Sequence, residues 1–262
     1  MSRNNKSYHK EPMSQRSRRL WGLGFGIFLI IFWEMLAFLI GKAYILPGPV
    51  DVLESLWEHR VEIFTQHLPA TMKVVCIGSV CSILIGTALA ILMDRSSLLE
   101  RALYPILTAT QTIPTMCIAP VFVLWFGYSI TMRVIVVILV TFFSITVNLF
   151  DGFHAASEAR MELMQTFGAT EMQQFTMLRM PTALPYFFTA LQVAVPWSVV
   201  GAAVAEWLGA PSGLGTYSRS CMMNLDAAGL LAPLVVLTVI ALALNGILKL
   251  LERRLVTWRG EA

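Results

Sequence analysis

The sequence predicts an all-α, polytopic membrane protein of six transmembrane helices with both termini in the cytoplasm. Three observations carry that fold class. Of the 262 residues, 56% are hydrophobic and only 13% are charged, with mean hydropathy +0.69, whereas a soluble chain carries about 25% charged residues. Long runs contain no Asp, Glu, Lys or Arg at all: 20 residues at 74–93, 31 at 102–132, 17 at 134–150, 26 at 180–205 and 22 at 227–248. The runs do not alternate polar and apolar residues as barrel strands must. This composition argues against disorder, a coiled coil, a secreted disulfide scaffold and a nucleic-acid-binding domain. A net charge of +3 is too small to demand a polyanionic partner.

A helix crossing the hydrocarbon core needs roughly 20 apolar residues. The first span is placed at 20–41, an apolar stretch with one charge, Glu34. The others fall near 70–93, 102–127, 131–150, 182–208 and 229–250, making residues 20–250 one membrane domain between a basic tail at 1–19 and a second at 251–262. Orientation follows from Lys and Arg in the connections. The tails and the loops at 94–101 and 151–181 hold 14 of them, and the opposite side holds 5, so the tails face the cytoplasm. The basic start is not read as a cleaved leader, because its apolar run is too long and no A-x-A site follows.

Within the second span, Gly78, Ser82, Gly86 and Ala90 recur every four residues, a stripe that lets two helix backbones approach closely in lipid. Gly22 and Gly26 are a shorter version. Pro114 and Pro120 interrupt the third span, and Pro181, Pro185 and Pro196 punctuate the fifth. Such breaks are common around transport paths and in plain bundles alike. The segment between the first two spans carries Glu54, Glu58 and Glu62 every four residues, the wet face of an amphipathic helix lying on the membrane. Cys76, Cys81, Cys117 and Cys221 form no CxxC or Cys/His pattern, so no metal site is expected.

The loop at 151–181 is long for a membrane protein and reads as helix, break, helix. Residues 157–167 are rich in helix formers, and Gly168 stands where a left-handed cap belongs. Thr170-Glu171-Met172-Gln173 has capping-box spacing and opens a second helix that ends near Pro181. Met161, Met164, Phe167, Met172, Phe175, Met177 and Leu178 make the loop unusually apolar for a water-facing segment. It is either a docking surface or a segment folded onto the bundle's own ends.

Polar groups inside the spans either join helices or line a wet path. Candidates for the path are Thr110, Gln111 and Thr112 in the third span, Ser144 and Asn148 in the fourth, and Gln192 and Ser198 in the fifth. Glu34 is either a structural hydrogen-bonding group or a cation-coupling site. All four histidines lie in tails or loops, which removes a haem-bearing subunit. With no G-x-S-x-G and no His at membrane depth, an intramembrane serine protease is set aside and no catalytic residue is assigned.

Three segments, opening at Glu162-Leu163-Met164, Ala205-Glu206-Trp207 and Leu46-Pro47-Gly48-Pro49, resemble segments of binding-protein-dependent ABC importer permeases of the nitrate/sulfonate/taurine type. Glu162-Leu163-Met164-x-x-x-Gly168, nine residues, then Leu178-x-Met180-Pro181 is similar to their E-A-A-x-x-x-G-x9-I-x-L-P loop, with Leu163 and Met164 replacing the two alanines. Ala205-Glu206-Trp207-Leu208-Gly209 followed by Ser212-Gly213-Leu214-Gly215 is similar to the segment after their fifth span, and Leu46-Pro47-Gly48-Pro49 to the L-P-x-P after their first. The likeness runs from about residue 45 to the C-terminus. It implies a type I importer fold and a permease in a bacterial cytoplasmic (inner) membrane, pairing with a second copy of itself. Two separate ATPase subunits would hold ATP and Mg, since this chain has no G-x-x-x-x-G-K-[ST], and a periplasmic or lipid-anchored solute-binding protein would deliver substrate. Glu158, Met161, Glu162, Leu163, Met164, Phe167, Gly168, Ala169, Leu178 and Pro181 would form the ATPase-coupling loop. Glu206, Gly209, Gly213 and Gly215 would form the outer turn. The branch handles sulfonates, taurine and nitrate, and also neutral ring compounds such as thiamine-precursor pyrimidines and riboflavin. The absence of a cationic cluster within the spans favours a neutral or zwitterionic solute. The competing function is an ion-coupled secondary transporter.

Overall fold

The computed structural model describes residues 15–258 and is helical almost throughout. In chain order the helices are α1 (Gln15–Ile40), α2 (Pro49–Glu58), α3 (Arg60–Glu62), α4 (Leu68–Arg95), α5 (Ser97–Thr112), α6 (Thr115–Phe126), α7 (Ile130–His154), α8 (Glu158–Thr166), α9 (Glu171–Gln174), α10 (Met180–Trp207), α11 (Leu214–Met223) and α12 (Ala227–Leu255). The first 14 residues of the basic tail, and Arg259 in the second tail, lie outside the described residues.

Among the described residues, four continuous helical stretches are long and apolar enough to cross a bilayer: Arg60–Arg95, Ile130–His154, Glu171–Trp207 and Ala227–Leu255. The third predicted span is two helices, α5 and α6, bent by 98°. The cause is local. Proline crowds the residue before it out of the α region, and Ile113, ahead of Pro114, is extended at φ −88°, ψ 117°. Pro120 is accommodated inside α6. Gly24–Ile40 is a shorter apolar helix.

The core is a three-helix layer in which α7 lies between α4 and α10. The small-residue stripe of α4 makes that approach possible. Gly78, Ser82, Gly86 and Ala90 are all buried, Ser82 and Thr141 hydroxyls hydrogen-bond at 2.6 Å, and a Cβ on Gly86 would lie 2.9 Å from Ile145 Cβ and 3.0 Å from the Phe142 carbonyl oxygen. Overpacking of this kind costs about 1–3 kcal/mol. Gly86→Val is therefore expected to lower the thermal-unfolding midpoint of the detergent-solubilised protein, whereas Gly24→Val, with nothing within 4 Å of its Cβ position, leaves it in place. Cβ positions at Gly22 and Gly26 likewise meet nothing within 4 Å among the described residues.

Two π-turns, Ile63–His67 and Phe175–Arg179, interrupt the long helices. Each precedes a proline by two residues, Pro69 and Pro181. A proline ring collides with the carbonyl four residues back, here Thr65 and Met177, and in both cases that residue sits in the widened turn. The predicted helix end near Pro181 is therefore a correction: Glu171–Trp207 is one helical stretch of 37 residues.

Candidate functional site

Three groups of residues stand out, two at opposite ends of the bundle and one between them. At one end, α8 and α9 form the predicted helix, break and helix. Ser157 precedes α8, and Gly168 follows it at φ +73°, a left-handed conformation open to glycine at no steric cost. Thr170 closes a capping box, its N–H donating to Gln173 Oε1 at 2.8 Å and its hydroxyl accepting from Gln173 N–H at 3.3 Å. No residue of α8 is buried. Leu163 is 56% exposed and Phe167 82%, one turn apart on one face. Glu158 and Glu162 are also exposed, while Met161, Met164, Ala169, Leu178 and Pro181 are half-buried. The apolar row of α8 thus points away from the bundle.

Sequence reasoning missed what anchors this loop. Arg179 Nη1 donates to both oxygens of Asp94 at 3.0 and 3.1 Å, and the Asp94 side chain is 1% exposed. The Arg95 guanidinium lies 5.1 Å from the Phe175 ring centroid. Together these pin the start of α10 to the end of α4. Asp94 and Arg179 stand at the edges of charge-free runs, which is the one signal the sequence offered.

Midway through the bundle, the bend between α5 and α6 opens a cleft of about 430 Å³ against α7 and α10. Thr110, Gln111, Ser144 and Asn148 line it, joined by Thr115, Phe143 and Trp197. No lining residue is charged. Thr112, Gln192 and Ser198 are not among its walls: Thr112 donates to the Ala109 carbonyl at 2.8 Å, Gln192 donates to Glu252 Oε2 at 2.6 Å, and Ser198 is fully buried with its hydroxyl on the Val195 carbonyl at 2.6 Å. The Gln192–Glu252 bond ties α10 to α12. A larger hollow of about 760 Å³ between α10 and α12 is almost wholly apolar and offers a polar solute little to bind.

At the opposite end Glu206, the last acid of α10, is fully buried. Its Oε2 accepts from the Gly215 N–H at 2.9 Å and the Thr71 hydroxyl at 3.0 Å, and Thr71 Oγ1 in turn accepts from the Leu214 N–H at 2.8 Å. His67 Nδ1 faces the Gly213 N–H and carbonyl at 3.1 and 2.9 Å. Arg133 Nη1 donates to the Ser212 carbonyl at 3.5 Å. Gly213, at φ +143°, packs directly on the Glu206 carboxyl group, so a side chain there would overlap it. Gly215 sits against the Ala203 carbonyl in the same way, and Gly209, at φ +131°, lies under the Tyr128 ring. Thr71 and His67 were not singled out from the sequence. Nearby, burial, helped by Asp226, pushes the Cys221 thiol above its ordinary range, keeping it in the less reactive protonated form.

Glu34 accepts from the Val50 N–H at 3.4 Å, at the N-terminus of α2 where a carboxylate is favoured. It thus fills the structural role open to it, and the main support for ion coupling goes.

Comparison with known proteins follows the same lines. Residues 82–257 match the family model described as the binding-protein-dependent transport system inner membrane component. The formylaminopyrimidine transport permease protein ThiX of Halalkalibacterium halodurans is 44% identical over 90% of this chain and 94% of its own length. The riboflavin transport system permease protein RibX of Chloroflexus aurantiacus is 31% identical, covering 88% and 87%, and the taurine transport system permease protein TauC of Escherichia coli 28%, covering 90% and 88%. Among solved structures, a chain of an amino acid ABC transporter superposes with TM-score 0.66 at 16% identity, over 77% of this chain and 97% of that one. A chain of the inward-facing MetNI methionine ABC transporter superposes with TM-score 0.58 at 18% identity, over 79% and 97%. At those identities the likeness is one of fold.

Proposed function

The chain belongs to the binding-protein-dependent transport system inner membrane component family, and from that membership we propose that it carries a small neutral heterocycle of the formylaminopyrimidine kind. It is a multi-pass membrane protein and the permease subunit of an ABC importer. The observation that carries the substrate reading is the cleft beside the α5–α6 bend. Its hydroxyls and amides, with Phe143 and Trp197 among its walls and no charged residue, suit a flat ring that donates and accepts hydrogen bonds and stacks. A sulfonate or nitrate would call for cationic or clustered N–H donors there. The relative that transports formylaminopyrimidine is also 44% identical to this chain.

The topology that fits is six spans, counting α1 and the bent α5–α6 pair with the four long helices, and both termini cytoplasmic, as the 14-to-5 division of Lys and Arg supports. The α8–α9 loop then projects into the cytoplasm, where two ATPase subunits with ATP and Mg grip Leu163 and Phe167. A second copy of the chain completes the path, and an extracytoplasmic binding protein loads it, in a bacterial inner membrane. Uptake of labelled formylaminopyrimidine by cells whose own importer is deleted tests the substrate. Restoration by this chain with its ATPase and binding protein is expected, with taurine failing to compete. Asn148→Leu is expected to cut the uptake rate about tenfold, the equivalent of one hydrogen bond of about 1.4 kcal/mol. Uptake of taurine in place of the pyrimidine would overturn the reading.

A further inference from the structure

The segment that joins α1 to α4 carries three kinds of residue on three separate sectors. Val52 and Ser55 are buried, and Leu56 packs in the same cluster as Leu230, Val236 and Leu237 of α12 and Tyr217 of α11. Asp51, Glu54 and Glu58 form an acidic row. Val50 (60% exposed), Leu53 (57%), Trp57 (70%) and Val61 (66%) form an apolar row that no apolar side chain among the described residues covers. At 3.6 residues per turn those four project within an arc of roughly 80°. A helix with one protein face needs only one polar face to be soluble; the third, apolar sector is surplus unless something apolar covers it.

Hydrogen bonds to α1 fix the depth of this row. Trp33 Nε1 donates to the Pro47 carbonyl at 3.0 Å, and Glu34 accepts from the Val50 N–H at 3.4 Å. The first turn of α2 therefore lies beside residues 33–34, while apolar α1 continues to Ile40, about 9 Å further along its axis. From there α2 runs past the first turns of α12. The start of the row is thus held beside the apolar stretch of α1, and Leu56 keeps the same helix against the apolar cluster of α12. Arg60, on the flank of the row, lays its guanidinium 4.4 Å from the Trp57 ring centroid and donates to the Trp57 carbonyl at 2.6 Å, an aromatic and cation pair of the kind that collects at the boundary between acyl chains and headgroups.

We propose that α2 and α3 form an interfacial anchor whose row Val50, Leu53, Trp57 and Val61 is immersed in the acyl chains of the adjacent leaflet, with Arg60 at the lipid phosphates and Glu54 and Glu58 in water. The anchor braces the Gly213 end of the bundle against the bilayer, because the same helix is bonded to α1 and packed on α12. The partner is phospholipid; the phosphate group is common to zwitterionic and anionic headgroups, and the acidic row disfavours a strongly anionic surface.

The test uses the full permease assembled with its ATPase subunits in lipid nanodiscs. Nitroxide labels are placed singly at positions 53, 61, 54 and 58 in a variant whose four cysteines are replaced by serine. Collision with oxygen is compared with collision with a water-soluble nickel chelate. Labels at 53 and 61 are expected to favour oxygen severalfold, and those at 54 and 58 the chelate severalfold. Labels at 53 and 61 that meet the chelate as freely as those at 54 and 58, or that are shielded from both probes by a second copy or another protein, overturn the proposal. A second measurement leaves the cysteines intact. In vesicles of dibrominated phosphatidylcholine, Trp57→Phe is expected to remove a strongly quenched part of the fluorescence. An unchanged quenched fraction counts equally against the anchor.

Discussion

Glu206→Ala is expected to unfold the Gly213 end of the bundle and abolish uptake, while Glu206→Gln retains both in large part. Alanine strands the Gly215 N–H and leaves the Thr71 hydroxyl only its longer bond to the His67 carbonyl at 3.3 Å. Buried polar groups left unpaired cost about 1–3 kcal/mol each, so a loss of about 3 kcal/mol is expected, read as a fallen melting midpoint. Glutamine keeps an acceptor of the same shape in the same place. Gly213→Ala injures the same contact from the other side, since its φ of +143° disfavours a side chain and the new methyl group would overlap the Glu206 carboxyl group. The two changes therefore couple. The double variant Glu206→Ala, Gly213→Ala should lose less stability than the two single losses added together, because removing the carboxyl group makes room for the methyl. Strict additivity in that cycle would mean that the carboxyl group and the turn do not support one another.

The arrangement satisfies one oxygen of the acid, Oε2, while Oε1 has no hydrogen-bond partner among the described residues. A polar group buried in a membrane protein without partners is costly, and Glu206 is fully buried. It is held by donors from α4 and from the turn into α11, and Arg133 stands on the same turn. Two segments distant in sequence thereby donate to one carboxylate, while Arg133 of α7 bonds the Ser212 carbonyl of the adjoining turn. The knot closes the bundle at this end, as Asp94 and Arg179 close it at the other. The α4, α7 and α10 layer is thus clamped at both ends, and the polar cleft lies between the clamps. A transporter that opens alternately to either side needs rigid helices joined at a few such points.

Legibility in the sequence followed the range of the interaction that sets each feature. The four long apolar helices, the Thr170 capping box, the Gly168 cap and the break at Pro114 depend on neighbours within a few residues, and each could be read directly. The stripe on α4 announced a close approach but not its partner; only the fold shows that Val137 and Ile145 of α7 fill it. Thr71 bonds a residue 135 positions away, and no local pattern foretells that. Gln192 was legible as a polar group in a span and was taken for a path candidate, yet its partner is Glu252 on α12. The helix end expected at Pro181 did not occur, because the π-turn at Phe175–Arg179 moves the offending carbonyl aside. A proline within a polar loop is a poor guide where the chain can widen one turn.

Phe167→Asp is expected to reduce capture of the ATPase subunits by the solubilised permease to background and to abolish uptake, with no change in its own melting midpoint. Phe167 is 82% exposed and α8 buries nothing, so the bundle does not depend on that ring, and any large effect must come from a partner that does. Gly168→Pro separates shape from side chain. Proline holds φ near −65°, whereas Gly168 stands at φ +73°, so the turn after α8 is lost while Leu163 and Phe167 keep their chemistry. If the partner reads the loop as a rigid unit, Gly168→Pro fails in capture as completely as Phe167→Asp. A third variant tests transmission apart from docking. Arg179→Gln breaks the pair with Asp94 without touching the exposed row, and should leave capture intact while uptake falls if a docked loop acts on α4 and α10 through this pair. Normal capture by Phe167→Asp would show that the ATPase subunits bind elsewhere. Normal uptake by Arg179→Gln would show that force reaches the membrane helices by another route.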